Sequence, residues 1–214
     1  MKKLGWLALL IALLAPAVNA ADRPADRSMV YIEYRFIAVN IKPGSFEASA
    51  RKLWRYKDSY ARLEEAPNPL TGIHGLLITN APNSYLINRY TKVARHVVDP
   101  GPTYNVVIPV FPSERDGKLK GLQMGRELAF FEANGAVPLP DEPVDTTMCA
   151  VLRAKVEDSE IRLFLDRGTK QPRQVSIRNA RSEYAIRYLR YMTNLPVDLS
   201  LFSVPKDVQI TRAN

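Results

Sequence analysis

The chain has 214 residues and a single cysteine, 46% of its residues are apolar, and its formal net charge is +8 at pH 7. One cysteine excludes an internal disulfide, so the fold must be stabilised by burial of apolar side chains. The basic residues are mixed with acidic ones along the whole chain. This distribution argues against a nucleic-acid-binding protein and favours solubility or attraction to anionic lipid headgroups.

Residues 1–20 have the pattern of a secretory signal peptide. Two lysines precede the apolar run 4–14, and the segment ends on the small residue Ala20. The apolar run is shorter than the roughly 20 residues that span a bilayer, and no cysteine stands near the cleavage site to receive a lipid. We therefore predict an exported protein with a flexible lead-in over 21–28 and a single domain over 29–214.

The first half of the remaining chain carries short β-strand patterns at regular spacing. Turns rich in Pro, Asn and Gly separate most of them. Val30, Ile32 and Tyr34 share one face of the first strand, whereas Leu53 and Trp54 lie on opposite faces of the second. This arrangement predicts an antiparallel meander that curves and can enclose an apolar ligand. The predicted strands are 29–41, 46–56, 60–64, 75–79, 85–88 and 93–98.

The pattern changes after the sixth strand. The apolar stretch 104–111 predicts an edge strand, and apolar residues every three to four positions over 119–134 predict a helix that stops at Gly135. The proline-rich segment 137–146 predicts an extended crossing, and a turn around Phe202 precedes a last edge strand. These elements predict a mainly β (α+β) fold with one helix. Four further strands are predicted at 148–156, 160–166, 174–179 and 184–192.

Few side chains have the chemistry of a catalytic site, and the common hydrolase and phosphate-loop motifs are absent from the sequence. His74 and His96 both fall in the meander, where they either bind a metal with Asp99 or are ordinary strand residues, and we favour the second interpretation. Three pairs of adjacent acids fit solvated turns better than an acid–base pair. Cys149 fits a small core residue better than a nucleophile. We therefore predict no enzymatic activity and no cofactor.

Several motifs together resemble one family. Leu53-Trp54 precedes a hairpin turn at 57–59, and Leu-Ile-Thr-Asn at 77–80 is followed by Tyr-Leu-Ile-Asn-Arg-Tyr at 85–90. Near the end stands Leu-Phe-x-x-Pro-x-x-Val at 201–208. In these motifs the chain resembles the LolA/LolB type of periplasmic lipoprotein carrier.

The resemblance implies an unclosed β-barrel, or half-barrel, with a capping helix and an apolar interior. It implies that acyl chains of a lipid or lipoprotein lie in this interior during transport across the periplasm, with inner- and outer-membrane proteins as further partners. The carrier's basic residue near the first hairpin corresponds to Lys57. The predicted acyl-chain contacts are Tyr34, Phe36, Leu53, Trp54, Lys57, Leu63, Ile78 and Leu86 on the sheet, with Met124, Leu128 and Phe131 on the lid helix.

Two alternative functions stay open at this point. The first is an envelope-stress regulatory module of the same fold, which binds a partner protein rather than a lipid. The second is a metal-assisted enzyme that uses His74 and His96. The segments 71–75 and 95–103 do not match the carriers, which indicates a divergent branch of the family.

Overall fold

The computed structural model describes residues 26–38, 40–112, 117, 119–179 and 183–212. The predicted signal peptide and the part of the predicted lead-in at 21–25 lie outside the described residues. Within them, twelve strands, one α-helix and a short 3₁₀ helix follow one another along the chain. The strands are β1 Met29–Ala38, β2 Arg51–Tyr56, β3 Tyr60–Asn68, β4 Ile73–Asn80, β5 Asn83–Asn88, β6 Val93–Val98, β7 Val137–Val144, β8 Thr147–Val156, β9 Ser159–Asp166, β10 Pro172–Arg178, β11 Glu183–Leu195 and β12 Gln209–Arg212, with helix α1 at Glu127–Ala133 and the 3₁₀ helix at Leu199–Phe202.

The twelve strands form one curved sheet that does not close into a barrel. Their order across the sheet is β12-β6-β5-β4-β3-β2-β1-β11-β10-β9-β8-β7. Neighbours pair antiparallel except β12, which runs parallel to β6. The predicted mainly β half-barrel with one helix is therefore confirmed. Strands β12 and β7 are the two edges.

One face of the sheet, here called the inner face, carries the main hydrophobic core. Ile32 and Leu53 are fully buried on it, as are Leu163 and Ile186 from the second half of the sheet. Helix α1 and residues from the described parts of the segment 104–126, which are 104–112, 117 and 119–126, pack on the same face. The alternation predicted for β1 is confirmed, since its even-numbered apolar residues reach this core.

The opposite face, here called the outer face, has its own smaller core. Ile78 and Ile87 are buried there beneath Phe202, which is 1% exposed and whose ring centroid lies 5.4 Å from that of Tyr60. The Arg62 guanidinium donates to the Leu201 carbonyl at 3.0 Å. The turn predicted around Phe202 thus covers the outer face of β3 and β4.

The structure corrects three predicted elements. The predicted strand 104–111 does not join the sheet, and its one bridge joins Pro109 to Gln123. The predicted helix 119–134 forms only from Glu127, because residues 119–126 make turns and Gly125 adopts a positive φ of 84°. The proline-rich segment predicted as a crossing is strand β7, whose prolines are tolerated because it is an edge strand.

Candidate functional site

Much of the inner face is filled by the protein's own chain. Alternate residues of the 104–126 segment, Val106, Ile108 and Val110, are buried against the sheet. Met124 and Phe131 are 1% and 0% exposed in the same core. The protein's own side chains therefore occupy the inner face beneath α1.

Arg55 anchors this filling segment to the sheet. It is 4% exposed and donates hydrogen bonds to the carbonyls of Val106 and Met124, both at 3.1 Å, and to Gln123 Oε1 at 3.1 Å. Burial lowers the pKa of the guanidinium to about 10. A buried charged donor that satisfies backbone carbonyls fixes the position of the segment.

A buried carboxyl group holds the start of α1. Glu127 is 1% exposed and accepts hydrogen bonds from the Tyr188 hydroxyl at 2.7 Å, the Tyr191 hydroxyl at 2.8 Å and the Gly125 backbone N–H at 3.0 Å. Burial raises the pKa of this carboxyl above its ordinary value of 4.5. The helix is thereby tied to β11 by polar contacts as well as by Phe131.

Beyond the filled region the inner face is open. Directly opposed leucines run across the strands from Leu53 through Leu63 and Leu77 to Leu86. Their exposure increases along the row, from 0% at Leu53 to 52% at Leu86. The row is thus a continuation of the core that the segment 104–126 leaves in contact with water.

Two adjoining cavities of about 400 and 470 Å³ lie over this row and share Leu77 and Leu86 as their floor. We call them together the inner-face groove. Val97 extends the floor onto β6, and Tyr104 and Val107 form a wall on the side of the filling segment. At the other end the groove is bounded by Ile73 and the side chain of Glu65. A groove of this size with mostly apolar walls suits a small apolar ligand.

The structure divides the predicted acyl-chain contacts into four groups. Only two of them, Leu63 and Leu86, line the groove. A second set is packed in the filled core, and the placing of Trp54 and Ile78 on the inner face is wrong, because both pack into the outer-face core. Lys57 and Leu128 lie elsewhere. The set packed in or against the filled core is Tyr34, Phe36, Leu53, Met124 and Phe131.

Lys57 and Leu128 do not reach the groove. The Lys57 side chain is 62% exposed at the β2–β3 turn, 3.9 Å from Asp26 and over the ring of Tyr56. Leu128 is 42% exposed and borders a separate surface depression beside Lys170. The predicted lid role of Leu128 is therefore wrong, because its side chain lies on the side of α1 away from the core.

Sequence reasoning missed Leu77, Val97, Tyr104 and Val107. Leu77 and Val97 were within correctly predicted strands, and their faces follow from the alternation with Leu86 as a reference. The wall residues carried no such signal, because their contact with the sheet depends on the path of the segment 104–126.

The residues considered for catalysis are placed in ordinary structural roles. His96 Nε2 lies 2.8 Å from Asn83 Oδ1 and its ring stacks on Tyr85, whereas His74 contacts Tyr90. The described part of the chain contains no group of three His, Cys, Asp or Glu side chains arranged to hold a metal ion. Cys149 is fully buried, and burial raises the pKa of its thiol.

The predicted acidic pairs are engaged with arginines where their contacts are described. Glu64 lies 2.6 Å from Arg62, and Glu65 lies 3.5 Å from Arg51. Asp141 pairs with Arg167 at 2.9 Å. These are structural ion pairs on the sheet surface and at its turns.

Comparison with known proteins gives similarity of fold. No protein-family model matches the chain, and no curated protein matches it in sequence. An uncharacterized conserved protein from Thermus thermophilus is 8% identical, and the superposition covers 87% of this chain and 91% of that one with a TM-score of 0.50. MucB of Pseudomonas aeruginosa, solved with MucA, is 14% identical over 87% of this chain and 59% of its own, with a TM-score of 0.46.

An outer membrane lipoprotein-sorting protein domain from Vibrio parahaemolyticus is 12% identical over 82% of this chain and 89% of its own, with a TM-score of 0.36. At these identities the similarity concerns the fold alone. The predicted unclosed half-barrel is confirmed by the twelve-stranded sheet itself. In the part of the chain that the structure describes, no helix has the length and hydropathy needed to cross a membrane.

Proposed function

We propose that this protein is an exported periplasmic binding protein, without catalytic activity, that holds the acyl chain of a lipid or lipoprotein in the inner-face groove. One observation carries the proposal: the leucine row continues the core into water and ends with Leu86 52% exposed beside an apolar wall. Contiguous exposed apolar surface is a common sign of a binding site. The signal-like segment 1–20 and the motifs shared with periplasmic carriers support export.

The expected gain from an acyl chain is large enough for useful affinity. Burying each methylene contributes about 0.8 kcal/mol. A chain that buries about ten methylenes over Leu77 and Leu86 gains roughly 8 kcal/mol, from which the entropic cost of association is subtracted. No directional chemistry is required, which fits the absence of polar side chains from the centre of the leucine row.

The test is a pair of double substitutions with matched chemistry. Leu86→Gln/Val97→Gln replaces two exposed side chains on the groove floor, whereas Leu70→Gln/Ile210→Gln replaces two exposed side chains outside it. We expect the groove variant to bind a fluorescent fatty-acid probe at least about tenfold more weakly, since about two apolar contacts are lost.

The control variant should bind the probe like the wild type, and both variants should unfold in urea near the wild-type midpoint, because all four side chains are already exposed. Equal loss of binding in both variants, or the absence of probe binding by the wild type, would reject the groove as the acyl-chain site. Native mass spectrometry of protein released from the periplasm without detergent would identify a bound lipid directly.

A second candidate is a partner-binding module of the same fold. Strand β12 has four exposed residues, and no described strand pairs with its far side. The Gln209 N–H bonds to the Lys92 carbonyl, so the N–H of Ile210 points to the free edge and is able to pair with a strand from a partner. In this case a protein should copurify with the wild type and be lost in Ile210→Pro, and the wild type should carry no bound lipid.

A further inference from the structure

The leucine row of the inner-face groove ends on a positive charge. Arg95 on β6 lies directly opposite Leu86 on β5, as Leu86 lies opposite Leu77 on β4. Directly opposed residues of an antiparallel pair share a face, and neighbouring strands are about 4.8 Å apart. The side chain of Arg95 is therefore carried on the inner face, on the strand next to Leu86, and the Cα atoms of Arg95 and Leu77 are about 10 Å apart across two strand spacings.

Arg95 is available to a ligand. It is exposed and makes no ion pair with any described residue, in contrast to Arg51 and Arg55 on β2 and Arg62 on β3. Its partner on the other side is Thr211 of β12, whose hydroxyl donates to the Ala94 carbonyl. The positions directly opposite Arg95 on both flanking strands therefore carry no carboxylate.

The two carboxylates that border the groove have other partners. Glu65 lies 3.5 Å from Arg51, and its strand β3 is two strands away from the strand of Leu86. Asp99 follows the end of β6 and accepts a hydrogen bond from the Gly101 N–H at 2.9 Å. Neither of these two carboxylates forms an ion pair with Arg95.

We propose that the groove selects single-chain amphiphiles with an anionic headgroup, and that Arg95 binds the headgroup while Leu77, Leu86 and Val97 hold the acyl chain. This inference rests on the proposed acyl-chain function. A guanidinium presents two parallel N–H groups that match a phosphate or carboxylate, and such charge-assisted hydrogen bonds are about twice as strong as neutral ones. Because Arg95 is exposed and solvent screens its charge, we expect a preference of about tenfold, which decreases as salt is added.

The experiment compares two probes with the same myristoyl chain, lysophosphatidic acid and the neutral monoacylglycerol. Wild-type protein should bind lysophosphatidic acid about tenfold more tightly. Arg95→Gln should reduce the two affinities to the same value by weakening only the binding of lysophosphatidic acid. Arg95→Lys should retain part of the preference, because it keeps the charge and loses the planar fork. Arg212→Gln is the matched control, since Arg212 is exposed on β12 opposite His96, on the outer face.

Each outcome separates the two proposals. If neither probe binds the wild type, the proposed function itself is wrong. If both probes bind equally, or if Arg95→Gln leaves their ratio unchanged, the acyl-chain groove stands and the role of Arg95 is rejected. An equal effect of Arg212→Gln would also reject it, because the preference would then come from the overall positive charge.

Discussion

At the scale of single residues, two buried ionisable groups hold the filling segment and α1 in place. Arg55 satisfies carbonyls of residues about fifty to seventy positions later in the chain, and Glu127 accepts hydrogen bonds from two tyrosines of β11. Both groups lose hydration on folding, so their contribution depends on retaining these partners. Arg55 also bonds to the carbonyl of Val106, which lines the inner-face groove.

Removing Arg55 should destabilise the protein strongly. In Arg55→Met the Val106 and Met124 carbonyls lose a buried donor, and we expect a loss of about 3 kcal/mol in the free energy of unfolding, measured with urea. The matched control is Lys57→Met, two positions along the chain, whose ammonium is mostly exposed. Lys57→Met should change the free energy of unfolding by no more than about 0.5 kcal/mol. Similar losses in the two variants would contradict the anchoring role of Arg55.

The Glu127 carboxyl should make stability depend on pH. Because burial raises its pKa above 4.5, the folded protein retains a proton there over a pH range in which the unfolded chain has released it. The contribution of the Glu127 carboxyl to the free energy of unfolding is therefore complete below pH 4.5. It decreases as the pH rises through the pKa of this carboxyl in the folded protein.

Urea unfolding at a series of pH values above 4.5 tests this dependence. Glu127→Gln keeps a hydrogen-bond acceptor for Tyr188 and removes the titrating group, so this part of the pH dependence should disappear in the variant. An unchanged slope in the variant would assign the pH dependence to other groups. Tyr188→Phe removes one hydrogen bond to Glu127, so the ionised carboxylate loses a donor. In this variant we expect the free energy of unfolding to decrease more steeply with rising pH.

At the scale of elements, α1 is short and depends on one face for its stability. Seven residues form it, and its N-cap residue Arg126 makes no side-chain capping bond. An isolated helix of this length is unstable in water, so burial of Phe130 and Phe131 against the sheet must stabilise it. The helix is better described as part of the core than as a movable lid.

Two substitutions in α1 distinguish a core helix from a lid. Phe131→Ala should lower the free energy of unfolding by about 3 to 5 kcal/mol, because removal of the fully buried ring leaves a cavity. Leu128→Ala should cost much less, because that side chain is 42% exposed. The measurement is the urea midpoint of each variant, and an equal loss would show that Leu128 also packs in the core.

At the scale of the whole molecule, an open sheet has two faces that need cover, and this chain covers them unequally. The segment 104–126 and α1 fill the inner face near β1 and β2, while the residues around Phe202 cover the outer face of β3 and β4. The inner face of β4 to β6 is left with the leucine row, Val97 and Arg95. The acyl chain that we propose to bind there would cover this apolar surface.

Ligand binding should therefore stabilise the fold. A ligand that binds only the folded state adds about 2.7 kcal/mol to the free energy of unfolding at a hundred times its dissociation constant. We expect lysophosphatidic acid to raise the melting temperature of the wild type in proportion to the logarithm of its concentration and to leave that of Leu86→Gln/Val97→Gln nearly unchanged. An equal rise in both would show that the lipid binds outside the groove.

Much of the fold was predictable from alternation and turn residues. All six strands of the meander were predicted, β6 with its observed bounds, because each has apolar residues on a definite face and a turn at its end. The predicted second strand 46–56 was too long, since β2 begins only at Arg51. Alternation separated the two faces within each strand but did not show which face is the inner one, so Trp54 and Ile78 were placed on the wrong face. The sequence also predicted the end of α1 at Gly135, which has a positive φ of 61°.

Arg55 shows why part of the site was not predictable. A basic residue in a strand is expected to be exposed, and nothing near Arg55 in the sequence indicates that its partners are carbonyls of Val106 and Met124. The parallel pairing of β12 with β6 likewise joins residues more than a hundred positions apart. Such long-range contacts depend on how the chain folds back on itself, and the secondary-structure propensity of nearby residues does not indicate them.

By itself, the amino-acid sequence determined which residues are apolar, in which strands they lie and which of them share a face. Only the tertiary structure decided which apolar residues are covered. Leu53 and Leu86 occupy equivalent positions of the same row, yet the side chain of Leu53 is buried and that of Leu86 is 52% exposed. The reason is that the segment 104–126 packs over one end of the row and stops short of the other, where Arg95 stands.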